Sequence, residues 1–181
     1  MRRFAYVSAT GMALMLSGAV PALAGWFGGY FDAHRNSCYG RIYTAAHMKR
    51  HPRQKVARIS LSHFPTRFGI NDKQGRIVIS NTAREILLQV KVRFRGSRKT
   101  YAEVAFCRHE GDHVACRLEC DGGEFTVHAH GGRRLLLRPG SYGFRMSDCG
   151  ESDACWVTRK SDDRALVLNA RPASKCTPPA R

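Results

Sequence analysis

Leu88-Gln89-Val90-Lys91-Val92-Arg93-Phe94-Arg95 alternates apolar and polar residues without a break. Side chains two apart on a strand share a face, so this octet has one face to bury and one that carries Lys91, Arg93 and Arg95. A helix would scatter the four apolar residues around its axis, because positions i and i+2 lie nearly opposite each other. The same period recurs upstream, where Ala57, Ile59 and Leu61 alternate with Arg58, Ser60 and Ser62. Further short strands are predicted over 76–80, 101–108, 114–120, 125–130, 134–138, 142–146 and 165–170. Turn residues separate them: Gly96-Ser97, Gly111-Asp112, Asp121-Gly122-Gly123, Gly131-Gly132 and Pro139-Gly140. Short strands joined by tight turns predict a mainly β fold, an antiparallel β-barrel or β-sandwich. One short N-terminal helix is predicted from Ser37 to His51. Ser37 can cap it, Ile42, Ala45, Ala46 and Lys49 follow helical spacing, and Pro52 stops it, although Gly40 weakens the pattern.

Composition sets the outer bounds. At 181 residues and 43% hydrophobic content the chain suits one ordinary domain and is too apolar for a disordered one. Its single apolar stretch lies at the start, which excludes a polytopic membrane protein. Residues 1–24 have the layout of a secretory signal peptide: Arg2-Arg3, an apolar run from Phe4 to Leu16, then Ala22-Leu23-Ala24 before the expected cut. That run is too short for a membrane anchor. The expected mature protein is therefore residues 25–181, a single secreted β domain in a periplasm or outside the cell. It opens on Gly25-Trp26-Phe27-Gly28-Gly29-Tyr30-Phe31, a segment whose order depends on whether its aromatics dock.

All seven cysteines fall after that cut, and in an oxidising compartment they read as disulfides. A turn at Gly111-Asp112 sets Cys107 opposite Cys116, Cys149 and Cys155 flank a short polar loop, and Cys38 and Cys176 can tie the two ends together. Cys120 is then the odd one. Sequence spacing alone leaves the connectivity open. A zinc reading of Cys116-x3-Cys120 lacks the second short-spaced pair such sites carry.

The formal charge is +16, unevenly spread: residues 25–100 carry +13 and residues 101–181 only +1. Such an imbalance speaks to partners, not to fold. The strand face bearing Lys91, Arg93 and Arg95, extended by Arg98 and Lys99, has cations about 6.6 Å apart, a spacing that can track a polyanion. Lys49, Arg50, Arg53 and Lys55 form a second cluster around the helix end, where His47 and His51 sit four apart. The alternative is a solvated face balanced by acids such as Glu103 and Glu119.

Two histidine patterns bear on metal chemistry. His109-Glu110-Gly111-Asp112-His113 matches H-E-x-x-H, but that zinc motif works only on a helix, and Gly-Asp between alternating segments makes a hairpin tip. His128 and His130, two apart on a strand, can face one metal ion such as zinc. No nucleophile elbow, phosphate loop, dinucleotide fingerprint or nucleic-acid-binding motif is present.

Cys116-Arg-Leu-Glu-Cys120-Asp-Gly-Gly-Glu-Phe125, together with Cys38-Tyr-Gly-Arg-Ile-Tyr43 and His51-Pro-Arg-Gln-Lys-Val56, resembles a group of uncharacterised secreted bacterial proteins. That resemblance implies secretion and disulfides and carries no activity. The expected function is a non-enzymatic periplasmic or secreted module binding an anionic glycan, lipopolysaccharide or other polyanion, with no cofactor. Its rivals are a small inhibitor of an acidic protein and a metal-dependent hydrolase using His128 and His130.

Overall fold

The computed structural model describes residues 30–31, 37–63, 68–71, 77–79, 85–119, 121–146 and 155–176. The expected signal segment, Cys120 and Cys149 lie outside them. Eleven strands are described: β1 (Cys38–Ile42), β2 (Val56–His63), β3 (Phe68–Asn71), β4 (Ile77–Ile79), β5 (Glu85–Phe94), β6 (Tyr101–Glu110), β7 (His113–Leu118), β8 (Gly123–Ala129), β9 (Arg134–Arg145), β10 (Trp156–Val157) and β11 (Leu166–Arg171). Eight of them close a barrel in the order β9-β11-β1-β2-β5-β6-β7-β8, with β8 returning to β9. The two-residue β10 extends the sheet beside β9, and among the described residues β3 and β4 pair with each other alone. Closure decides between barrel and sandwich. Every pairing is antiparallel.

The alternation in β5 does what its pattern demands. Leu88, Val90 and Val92 are fully buried with Phe94 nearly so, while Gln89, Lys91 and Arg93 are only half-buried. Across the barrel Ile59, Leu61, Leu135, Leu137, Leu166 and Leu168 fill the interior, and Phe125 packs on Phe144 with ring centroids 5.2 Å apart. Burial of each such side chain contributes about 1.5–3 kcal/mol. Tyr30 and Phe31 dock at one end, where Phe31 lies 5.2 Å from the Tyr39 ring and is buried in the core cluster.

The predicted helix over 37–51 is corrected. Cys38–Ile42 is strand β1, and only Ala45–Arg50 is helical (α1), capped by Thr44, whose hydroxyl accepts from the His47 amide at 3.2 Å, and not by Ser37. Two ladders hold β1, to β11 and to β2, and these outweigh a local helical preference. Gly40 explains the fit: a Cβ there would stand 3.0 Å from the Ile59 carbonyl oxygen, so glycine lets β1 and β2 close up. A second correction concerns Pro139-Gly140, which is no turn but lies within the twelve-residue β9. Pairing of β9 with β11 stops at Leu137–Leu166, and pairing with β10 begins at Phe144–Val157. Proline, lacking an amide donor, sits where that edge of the strand changes partner. β1, β3 and β10 went unpredicted.

Disulfides Cys38–Cys176 and Cys107–Cys116 form as expected, the latter between residues directly opposite on β6 and β7. Cys155 is also disulfide-bonded, and both cysteines that could partner it, Cys120 and Cys149, lie outside the described residues. Such oxidised cysteines are consistent with an extracytoplasmic protein. Among the described residues no helix is long and apolar enough to cross a membrane.

Candidate functional site

Strand direction places the start of β2, the end of β5 and the far half of β9 at the same end of the barrel as α1. An open groove of about 820 Å³ lies there. Arg53, Lys55, Arg95 and Lys160 supply its charge, and Phe94, Tyr142 and Trp156 its aromatic surface. Tyr142 is 86% exposed. A large ring left in water beside cations offers stacking and charge to one ligand.

The groove is built on a buried carboxylate. Asp163, fully buried, accepts hydrogen bonds from the amides of Lys55 at 2.8 Å and Val56 at 3.1 Å, and from the Ser161 hydroxyl at 2.9 Å. Burial pushes its carboxyl above the ordinary range, opposed by those donors. Asp162 beside it accepts from the Arg53 amide at 3.2 Å and pairs with the Arg53 guanidinium at 3.5 Å. The 161–163 turn thereby fixes the 53–56 segment, more than a hundred residues away in sequence. A glycine shapes the other wall: a Cβ on Gly143, at φ 85°, would stand 2.3 Å from the Val157 carbonyl oxygen, so glycine lets β10 and its Trp156 lie close to β9.

The predicted basic stripe divides. Lys91 donates to the carbonyl of Cys176, and Arg58 donates to that of Lys175 at 2.9 Å. Both cations thus hold the short 3-10 turn Ala173–Lys175 that the Cys38–Cys176 disulfide pins across the outer sheet face. Burial first, and Arg58 second, lower the Lys91 pKa. Arg95 donates to the carbonyls of Met48 at 2.9 Å and His51 at 2.6 Å, satisfying the carbonyl end of α1 while lining the groove. Arg93 stands opposite Arg58 on β2. Glu103 pairs with Val90 and so stands on the sheet face opposite Lys91 and Arg93. Lys99 lies over the Tyr101 ring at 4.8 Å, and Arg98, Lys49 and Arg50 are exposed. Of the nine predicted anion-binding residues, Arg53, Lys55 and Arg95 meet in the groove. Lys160, Tyr142 and Trp156 were missed, although Trp156 followed within four residues by Arg159-Lys160 was a legible hint.

The histidines fall elsewhere. His109-Glu110-Gly111-Asp112-His113 is the β6–β7 hairpin, with Glu110 paired to His113 across the turn. His113 stacks on His128 with centroids 5.2 Å apart, and His128 Nε2 lies 3.1 Å from the Thr126 hydroxyl. Burial first, then His113 and Arg138, lower the His128 pKa. His130 stands beyond β8. Among the described residues no group of three or more His, Cys, Asp or Glu side chains is placed to hold a metal ion. On α1, His47 stacks on His51 at 4.3 Å, and its Nε2 bonds the Gln54 side chain at 2.9 Å.

Fold and groove define a disulfide-stapled, closed antiparallel β-barrel with a cationic, aromatic-walled cleft at one mouth. Comparison with protein-family models, curated proteins and solved structures finds no match.

Proposed function

We propose that this protein is a secreted or periplasmic, non-enzymatic module that binds an anionic glycan in the groove at the α1 end of the barrel. The observation that carries the reading is the convergence of Arg53, Lys55, Arg95 and Lys160 with the exposed ring of Tyr142 and with Trp156 on one cleft. A glycan bearing carboxylates or sulfates presents charge for the cations and a flat apolar ring face for the aromatics. A simple phosphate would leave the rings unused. The expected signal segment, residues 1–24, and the disulfides support export.

The test uses heparin and polygalacturonate as sulfated and carboxylated probes. Each phosphate-like contact contributes about 0.7 to the slope of log affinity against log salt for a single-stranded polyanion, so R53Q/K160Q is expected to flatten the slope by about 1.4. Tyr142→Ala is expected to weaken binding roughly tenfold without lowering the melting temperature, given a stacking contribution of about 1–3 kcal/mol. If both variants bind each probe within twofold of the parent, the groove is not the site.

A further inference from the structure

The opposite mouth of the barrel holds a different constellation. Gly132, Arg133, Arg134, Asn169, Arg171 and Pro172 line most of a hollow of about 510 Å³, and among the described residues no carboxylate and no aromatic side chain lines it. Arg134 begins β9, pairs with Asn169 on β11, and Arg171 lies two residues further along the same face of β11. Arg133 is the only described non-glycine residue with positive φ, at 59°, and it follows Gly131 and Gly132, which share that left-handed conformation. An L side chain there is strained, and glycine or asparagine would fill the position more cheaply. Backbone strain of this kind concentrates at working sites.

The guanidinium groups are already oriented. Arg134 Nε donates to the Gly131 carbonyl at 3.3 Å, and Arg171 Nε donates to the Gly40 carbonyl at 3.5 Å. Each bond uses the Nε–H, and among the described residues nothing bonds the Nη groups of either side chain. Burial raises the pKa of the Tyr39 hydroxyl, and the charge of the nearby Arg133 opposes that rise, at the mouth that Phe31 helps to fill. Three arginines from two strands and a turn, with Asn169 among them, line one hollow.

We propose that this end of the barrel is a second anion site, separate from the groove, for a phosphate or sulfate monoester. One arginine fork is enough for a planar carboxylate, whereas a tetrahedral oxyanion uses donors arriving from several directions. Absence of an aromatic wall among the described lining residues distinguishes this site from the groove, and favours recognition of the charged group over the molecule that bears it. Counting strand residues from Arg134 to Tyr142 separates the two sites by about 26 Å, so each can be tested alone.

Titration with methyl phosphate, followed through the arginine Nε–H resonances, is expected to give saturable shifts for Arg134 and Arg171. R134Q/R171Q is expected to lose at least tenfold in affinity, and the groove variant R53Q/K160Q to stay within twofold of the parent. R134K/R171K keeps the charge and removes the fork, and is expected to lose at least fivefold; it also serves if the glutamine variant fails to fold. Linear, unsaturated shifts, or parent-like affinity in the lysine variant, would overturn the site. Vesicles of phosphatidate in phosphatidylcholine and soluble glucose 6-phosphate distinguish the source. Binding lost with Arg134 and Arg171 on vesicles identifies a lipid headgroup, and the same loss only with the sugar phosphate identifies a soluble ester. Undiminished binding of both by the variants refutes the proposal. Because the probes carry no glycan polymer, failure here leaves the groove reading untouched.

Discussion

Replacing Asp163 tests whether the groove depends on its buried tether. The carboxylate accepts from two backbone amides, one of them on the fully buried Val56, and from Ser161. Hydrogen bonds to a charged group contribute about 1.5–3 kcal/mol each, and a buried donor left alone costs about 1–3 kcal/mol. Against this stands the relief of no longer burying a charge, so Asp163→Ala is expected to destabilise by about 3 kcal/mol net. For a domain of this size that is roughly 6–12 °C in melting temperature. Asp163→Asn keeps one acceptor and turns an NH2 toward an amide N–H, so it is expected to fall between the parent and Asp163→Ala. Urea unfolding monitored by tryptophan fluorescence gives the energies. The pH dependence has a fixed sign. Burial raises the folded pKa of Asp163 above its unfolded value, so between those two values the native state holds a proton that the unfolded chain has released. This group's contribution therefore grows as pH falls through the folded pKa and is complete below the unfolded one. Asp163→Asn is expected to remove that component from the stability profile. Parent-like stability in both variants, within 0.5 kcal/mol or so of the parent, would refute the tether, since surface substitutions typically stay in that range.

Two further predictions concern the frame. Gly143→Ala meets both a left-handed φ and a Cβ 2.3 Å from the Val157 carbonyl oxygen, whereas Gly96→Ala, at φ 76°, meets nothing within 4 Å. Denaturant melts are expected to show about 1–2 kcal/mol lost at Gly96 and clearly more at Gly143, with tryptophan emission shifting only in the latter as β10 moves. Removing the Cys38–Cys176 bridge as C38S/C176S frees a span of 138 residues and is expected to cost about 3–5 kcal/mol. The released 3-10 turn would uncover Lys91, so faster acylation of that amine, read by peptide mass spectrometry, is the accompanying signature.

Much of the barrel was legible because period-two alternation depends only on which face of a strand is wet. Cys107 opposite Cys116 followed from a two-residue turn, and Gly111, at φ 61°, supplies the conformation that turn needs. β1 was not legible: Cys38–Ile42 has helix-compatible neighbours, and only ladders to β2 and β11 make it a strand. Pro139-Gly140 carries the composition of a turn, yet it lies at a change of partner strand that exists only in the assembled sheet. Net charge by halves pointed to residues 25–100, and that tally concealed Lys160 in the groove and the arginines of the opposite mouth.

The sequence by itself determined a cysteine-bearing β domain with excess cations and an apolar run at residues 4–16, since composition, periodicity and local turn chemistry act over a few residues. Tertiary structure alone decided that the sheet closes and that Lys91 and Arg58 hold the C-terminal turn. It also decided that Arg53, Lys55, Arg95 and Lys160 share one groove with Tyr142 and Trp156. The physical reason is that a cation's role depends on the carbonyls, rings and carboxylates facing it, and barrel closure brings those from strands a hundred residues apart.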